Sequence, residues 1–167
     1  GLEVMGANKI PVYAMPRMVN FLTYNGPWSQ LVMKKNIVVE PLQDGAVINI
    51  NDQIRITPFL VPHRDEFSET IGFNISGPNK SVLFIPDIDK WDLWQKDIVA
   101  EVERNDYLFL DGTFFDGNEL PGRNMDQIPH PFVVESMQLF ANLSMGEKQK
   151  IHFIHFNHTN PLYQTGS

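Results

Sequence analysis

Apolar positions along this chain fall into short runs, separated by clusters of Gly, Pro, Asn and Asp, and the spacing within each run predicts its element. The opening Gly1–Gly6 suits a short helix that ends at Gly6. Pro11–Met15 reads as a short strand. Pro16 suits the first turn of a helix through Asn25, where its missing N–H would go unpaired anyway. Met18, Phe21 and Leu22 give that helix an apolar face. Gly26-Pro27-Trp28 is a turn, and strands follow at Ile37–Pro41 and Gly45–Ile50. Gln53–Val61 alternates at its start as a half-buried strand does. Thr70–Ile75 and Ser81–Ile85 flank Ser76-Gly-Pro-Asn-Lys80, a loop of turn formers, and together predict a hairpin.

Trp91, Trp94, Ile98 and Val102 recur at spacings of three and four, which predicts a helix from Asp89 to about Arg104. Tyr107–Leu110 is a continuous apolar run of the kind buried on both faces of a parallel sheet. Residues 112–131 are irregular, 132–143 form a helix, and the last strand runs from Ile151 to about Phe156. The tail from Tyr163 to Ser167 carries no structural signal, and there is no repeat, low-complexity tract or linker. Strands come first, then strand and helix alternate. The pattern is that of one α/β domain over residues 1–167 with some antiparallel hairpins.

Composition narrows the chemistry. With 167 residues, 43% apolar and 20% charged, the chain can build one globular core. A net charge of -7 argues against a nucleic-acid backbone as the main partner. A small anionic substrate stays open, because a bound metal reverses the local sign. The absence of cysteine rules out disulfides, thiolate zinc sites and cysteine nucleophiles, and leaves the compartment undecided. Any metal must then be held by His, Asp, Glu or backbone oxygen. No apolar run approaches the roughly 20 residues of a helical membrane span, so no membrane partner is expected. No signal-peptide pattern is present, although the abrupt start is compatible with the loss of one.

Polar residues recur just after the apolar strands. His63 follows Phe59–Pro62, Asp87 and Asp89 follow Val82–Pro86, Asp111 follows Tyr107–Leu110, and His155 and His158 follow Ile151–Ile154. Loops at strand ends form the ligand crevice of an α/β sheet, and this set of side chains suits zinc, iron or manganese. Residues 151–161 are the densest stretch, with His152, His155 and His158 inside seven residues. Each residue also has a plainer role. Asp89 before Lys-Trp-Asp-Leu-Trp reads first as a helix cap, whereas Asp87 lies ahead of the cap and reads as a ligand. His152 alternates away from its neighbours as a packed strand histidine does. His130 is held between Pro129 and Pro131 at the opening of a helix, a site that favours anions; the plainer alternative is a solvent-facing ring on a rigid loop. Asp65, Glu66 and Glu69 read as a solvated turn.

Six pieces, in order, carry a resemblance. They are Val-Pro-His-Arg-Asp-Glu-Phe-Ser-Glu-Thr-Ile-Gly-Phe (61–73), Leu-Phe-Ile-Pro-Asp-Ile-Asp-Lys-Trp (83–91), Leu-Asp-Gly-Thr-Phe (110–114), Leu-Pro-Gly-Arg (120–123), Ile-Pro-His-Pro-Phe (128–132) and His-Phe-Asn-His-Thr-Asn-Pro (155–161). Over most of residues 55–161 the chain resembles the second half of the metallo-β-lactamase superfamily, above all its pyrroloquinoline-quinone biosynthesis B branch. That resemblance implies an α/β fold, the C-terminal portion of a four-layer αββα sandwich with a one- or two-metal site between its sheets. It implies His63 as the middle histidine ligand, Asp87 as the aspartate bridging two metals, and His155 as the last histidine ligand. Asp111 occupies the place of an acidic residue near the site. His130 resembles a histidine that assists the leaving group in phosphodiesterase relatives. His130 and Asp111 are thus the catalytic candidates, and a divalent metal is the cofactor, zinc before iron or manganese.

The hallmark His-x-His-x-Asp-His loop does not occur in this sequence. The resemblance therefore implies a truncated domain, poor as an enzyme. The activity implied for the whole site is hydrolysis of an ester or phosphodiester of a small molecule. Two alternatives stand beside it. Two histidines and a carboxylate are also the ligand set of non-haem iron oxygenases, here acting on a tyrosine-derived quinone precursor. The other is a non-catalytic remnant that forms a homodimer through an exposed sheet face.

Overall fold

The computed structural model describes residues 1–164. The chain forms two compact units, Gly1–Ala46 with Arg64–Glu69, and Val47–His63 with Thr70 onward.

In the first unit, β1 (Ile10–Ala14) pairs in parallel with β2 (Ile37–Pro41), with Ile10 opposite Ile37. The crossover carries α1 (Pro16–Tyr24) and α2 (Trp28–Met33). Pro16 opens α1 and Asn25 closes it, as its sequence predicts. The expected helix at the start is a set of turns instead. Gly6 turns the chain at φ 65°. α2 begins directly after Pro27, where only a turn is legible in the sequence. The acidic stretch after His63 is largely exposed, as a solvated turn is, and it is also tied down. The Glu69 carboxylate accepts the Arg17 backbone N–H at 3.1 and 3.2 Å, at the first turn of α1, where a free N–H favours an anion. The Arg17 guanidinium donates to Asp65 Oδ2 at 3.1 Å and to the Glu66 carbonyl at 2.9 Å.

The second unit is built on a six-stranded sheet in sequence order: β3 (Ile48–Asn49), β4 (Arg55–Leu60), β5 (Ile71–Ser76), β6 (Ser81–Ile85), β7 (Tyr107–Asp111) and β8 (Ile151–Ile154). Pairing is antiparallel from β3 to β6 and parallel from β6 to β8. The predicted hairpin is β5–β6, with Ser76 opposite Ser81 and Gly77 N–H donating to the Lys80 carbonyl at 2.8 Å. The strand expected over 45–50 shrinks to β3. α3 (Ile98–Arg104) connects β6 to β7, α4 (Val133–Leu139) and α5 (Met145–Lys148) connect β7 to β8, and α6 (Pro161–Gln164) follows.

The long helix expected from Asp89 is replaced by a 3-10 turn at Trp91–Leu93 and the short α3, capped by Asp97, whose carboxylate accepts Val99 N–H at 2.9 Å. The spacing of apolar residues reported burial and not helical continuity. Trp91, Trp94, Ile98 and Val102 all reach the core, where Leu83, Ile85, Leu108 and Leu110 meet them from one face of the sheet. Ile85, Leu108 and Leu110 are 0% exposed, worth about 1.5–3 kcal/mol each. Trp91 Nε1–H donates to Ser136 Oγ at 2.9 Å, which anchors α4 to the same core. α4 is shorter than expected, and Ser144 caps α5 separately. On the opposite face Phe73, Phe84 and Phe109 lie in register and half-buried, and His152 is exposed there, its ring stacked on Phe109 at 5.2 Å.

Candidate metal centre

Two antiparallel steps make β4 run in the same direction as β6, and β7 and β8 follow that direction. The residues after β4, β6, β7 and β8 therefore leave the sheet at one edge. That edge gathers His63 with Asp87, and Asp87 with Asp111 and His155, although 92 residues separate the first from the last. One ligand atom each from His63, Asp87 and His130 lie within 4.8 Å of one another, and so do atoms from Asp87, Asp111 and His155. Asp87 is common to both groups.

His63 Nδ1 sits 2.9 Å from Asp89 Oδ1. An ionised carboxylate only accepts, so this contact fits the Nδ1–H tautomer, the one in which Nε2 has a lone pair to offer a metal. Nε2 lies 3.2 Å from Asp87 Oδ1. That oxygen is shielded from solvent and has no hydrogen-bond partner. A lone pair facing an orphaned buried carboxylate oxygen is an arrangement that a cation between them would satisfy. Asp89 is therefore no helix cap. It orients His63, and its backbone N–H donates to the Pro62 carbonyl at 2.7 Å, which ties the two loops together.

Asp111 is fully buried, and all of its acceptor capacity is used. Oδ2 accepts Ile88 N–H at 3.1 Å and faces His130 Nδ1 at 2.8 Å. Oδ1 accepts Thr113 N–H at 2.8 Å and the Thr113 hydroxyl at 2.6 Å. A carboxylate with four such partners organises its neighbours, with little left over for a metal.

His130 reaches the site because its segment has a small core of its own, Phe114, Met125, Ile128 and Phe132. Pro131 is fully buried, and Phe132 N–H donates to Glu135 Oε2 at 2.8 Å where α4 begins. The ring is 15% exposed and packs edge-on against Phe114, so it is not a solvent-facing loop histidine. Burial pushes the His130 pKa down. The hydrogen bond and charge of Asp111, with the charges of Asp87 and Asp89, more than offset this and hold it above the ordinary histidine value. His155 takes a left-handed backbone, φ 64°, which ends β8 and turns the ring toward Thr113. His158 is exposed and His152 lies on the opposite face of the sheet, so neither belongs to these groups.

Two residues of the site escaped sequence reasoning. Thr113 touches both Asp111 and His155, at 2.6 and 3.0 Å. Asn160, fully buried, donates to the Gly112 carbonyl at 2.7 Å and stitches the loop after β8 to the loop after β7. Both stood inside quoted motifs, without a chemical signal of their own.

The family described as beta-lactamase superfamily domain matches residues 1–156. Among solved structures, Zn(2+)-bound PqqB from Methylobacterium extorquens superposes with a TM-score of 0.74 at 18% identity, over 99% of this chain and 57% of that one. The metallo-beta-lactamase fold protein YhfI from Bacillus subtilis gives 0.60 at 14% identity, over 93% and 55%. A diphosphatase from the PhnP family gives 0.55 at 16% identity, over 99% and 55%. The chain thus spans little more than half the length of these structures. At such identities the likeness establishes the fold, an α/β architecture of the metallo-β-lactamase type. No curated protein matches the chain by sequence. No helix among the described residues is long and apolar enough to cross a membrane.

Proposed function

Since this chain belongs to the beta-lactamase superfamily domain family, we propose that it contributes His63, Asp87 and His155 as ligands to a divalent-metal site that hydrolyses an ester or phosphodiester. The observation that carries this reading is Asp87 Oδ1, buried, without a hydrogen-bond partner, and facing two histidine nitrogens, His63 Nε2 at 3.2 Å and His130 Nδ1 at 3.4 Å. Asp87 belongs to both groups of candidate ligands, so it is the residue able to serve two metal positions. Of the proposed ligands, His63 stands in one group and His155 in the other, each with Asp87, so each position is short of the four ligands that a closed zinc site takes.

A divalent metal held there would bring the pKa of a bound water to about 7 and polarise the scissile bond. The chain's own residues supply the rest. Asp89 keeps the His63 Nε2 lone pair facing inward. Asp111 holds His130 through Nδ1, which leaves Nε2 as the atom that can carry a proton to a leaving oxygen. The hydrogen bond and charge of Asp111 make His130 easier to protonate than an ordinary histidine. Zinc is the first metal to try, because PqqB is Zn(2+)-bound. A phosphoester is the first substrate class, because a diphosphatase shares the fold.

The test is zinc binding by equilibrium dialysis, followed by hydrolysis of bis-p-nitrophenyl phosphate with added zinc or manganese. Wild type should bind zinc, and both Asp87→Asn and His63→Ala should bind at least about tenfold more weakly while keeping the wild-type circular dichroism. A wild-type chain that takes up no zinc or manganese would overturn the reading.

A further inference from the structure

Thr113 stands between a fully buried carboxylate and an exposed histidine. Its Oγ1 lies 2.6 Å from Asp111 Oδ1 and 3.0 Å from His155 Nδ1. A hydroxyl has one proton to donate. The Asp111 carboxylate accepts two backbone N–H groups, from Ile88 and Thr113, so it stands as an acceptor. The shorter contact therefore takes the Thr113 proton. The hydroxyl oxygen is left to accept, and the partner that donates to it is Nδ1–H of His155.

We propose that Thr113 is a positioning residue: it relays the Asp111 carboxylate to His155 and holds the ring as the Nδ1–H tautomer with Nε2 bare. The tautomer is a property of the metal-free chain, and its use in ligation rests on the function proposed above. Asp111 thereby sets two histidines at once, His130 directly and His155 through one hydroxyl. Together with Asp89 acting on His63, each of the three rings has its Nδ1 held by an acceptor and its Nε2 left for chemistry.

The backbone around Thr113 supports this role. Its carbonyl accepts Asn157 N–H at 2.9 Å, and Gly112 N–H donates to the Ile154 carbonyl at 2.9 Å. The residues on both sides of His155 are thereby fixed relative to Thr113. The ring itself is exposed. Without the hydroxyl, water can partner either nitrogen, and the proton becomes free to sit on Nε2, the atom a metal needs bare.

The experiment is long-range 1H–15N correlation of histidine rings in the metal-free full chain, at a pH where the His155 ring is neutral. Wild type should give a protonated Nδ1 and an unprotonated Nε2 for His155. Thr113→Ser should keep that pattern, and Thr113→Val, close in shape but without the hydroxyl, should lose it. Zinc affinity should fall about 10–100-fold in Thr113→Val and be retained in Thr113→Ser. A wild-type His155 protonated on Nε2 overturns the proposal without recourse to any variant, and so does an unchanged tautomer in a folded Thr113→Val. A wild type that shows the Nδ1–H tautomer but binds no zinc supports the Thr113 assignment and overturns the metal reading instead.

Discussion

Gly112 follows β7 directly and lies against the end of β8. A methyl group placed there would stand 2.8 Å from Phe156 Cε1, 2.9 Å from Phe153 Cβ and 3.1 Å from the Ile154 carbonyl oxygen. Non-bonded carbons rest at about 3.5–4.0 Å. The Phe156 ring can swing aside, but Phe153 Cβ and the Ile154 carbonyl are fixed to the backbone of β8 and its exit. That carbonyl also accepts the Gly112 N–H. Gly112→Ala must therefore push β7 and β8 apart by several tenths of an ångström at the edge where Asp111 and His155 emerge. Overpacking of this kind costs about 1–3 kcal/mol. The loss of unfolded-state freedom returns about 0.4–1 kcal/mol. A net loss of about 1–2 kcal/mol remains, or a melting temperature lower by roughly 2–8 °C for a chain of this length. Urea denaturation followed by the fluorescence of Trp91 and Trp94, both in the core, measures it directly. Gly117→Ala is the control, since a methyl there meets only Phe132 Cε2 at 3.6 Å, and it should stay within about 0.5 kcal/mol of wild type. Zinc affinity should fall in the first variant and hold in the second. Equal stability and equal zinc affinity in the two variants would refute the claim that this close approach sets the site.

Three further outcomes follow from the same structure. Asp89→Ala removes the acceptor of His63 Nδ1–H and should weaken zinc binding by about 10–100-fold with little change in fold, read by dialysis and circular dichroism. Zinc at 100 times its dissociation constant should stabilise the chain by about 2.7 kcal/mol; the stabilisation should vanish on chelation and be absent in Asp87→Asn, as melting curves will show. Asp106 accepts from Lys80 and from Ser81 N–H, and these hold its carboxyl below the usual carboxylate value. A lowered folded-state pKa means stabilisation that is present above the unfolded-state pKa and lost as pH falls through the folded one. Wild type should therefore out-melt Asp106→Asn at neutral pH, and the two curves should converge in strong acid.

The candidate ligands were legible because each follows an apolar run. His63, Asp87 and His155 stand one to three residues past a strand, and a sheet whose strands run the same way gathers such residues at one edge. What each residue does there was less legible. Asp89 before Lys-Trp-Asp-Leu-Trp has the signature of a cap, but a carboxylate serves any N–H in reach, and the one in reach belongs to a histidine 26 residues earlier. The tryptophan spacing predicted a continuous helix because period-four burial arises equally from turns packed on a sheet. Thr113 was invisible, since its meaning depends on the register of β7 against β8, a non-local fact: Asp111 faces Ile154 across 43 residues. α2 was hidden behind the turn signal of Gly26-Pro27.

The switch from antiparallel to parallel pairing at β6 has a kinetic corollary. β4, β5 and β6 meet through connections of no more than ten residues, whereas β7 joins β6 through a 21-residue crossover and β8 joins β7 through one of 39. Local pairings close quickly and long-range ones slowly, because loop-closure entropy must be met first. His63, in the β4–β5 connection, and Asp87, just after β6, thus go with the fast-forming meander, while Asp111 and His155 arrive only when the slow crossovers dock. The edge that gathers the candidate ligands is then among the last parts of the sheet to assemble. A metal held by residues from both halves should slow unfolding far more than it speeds folding.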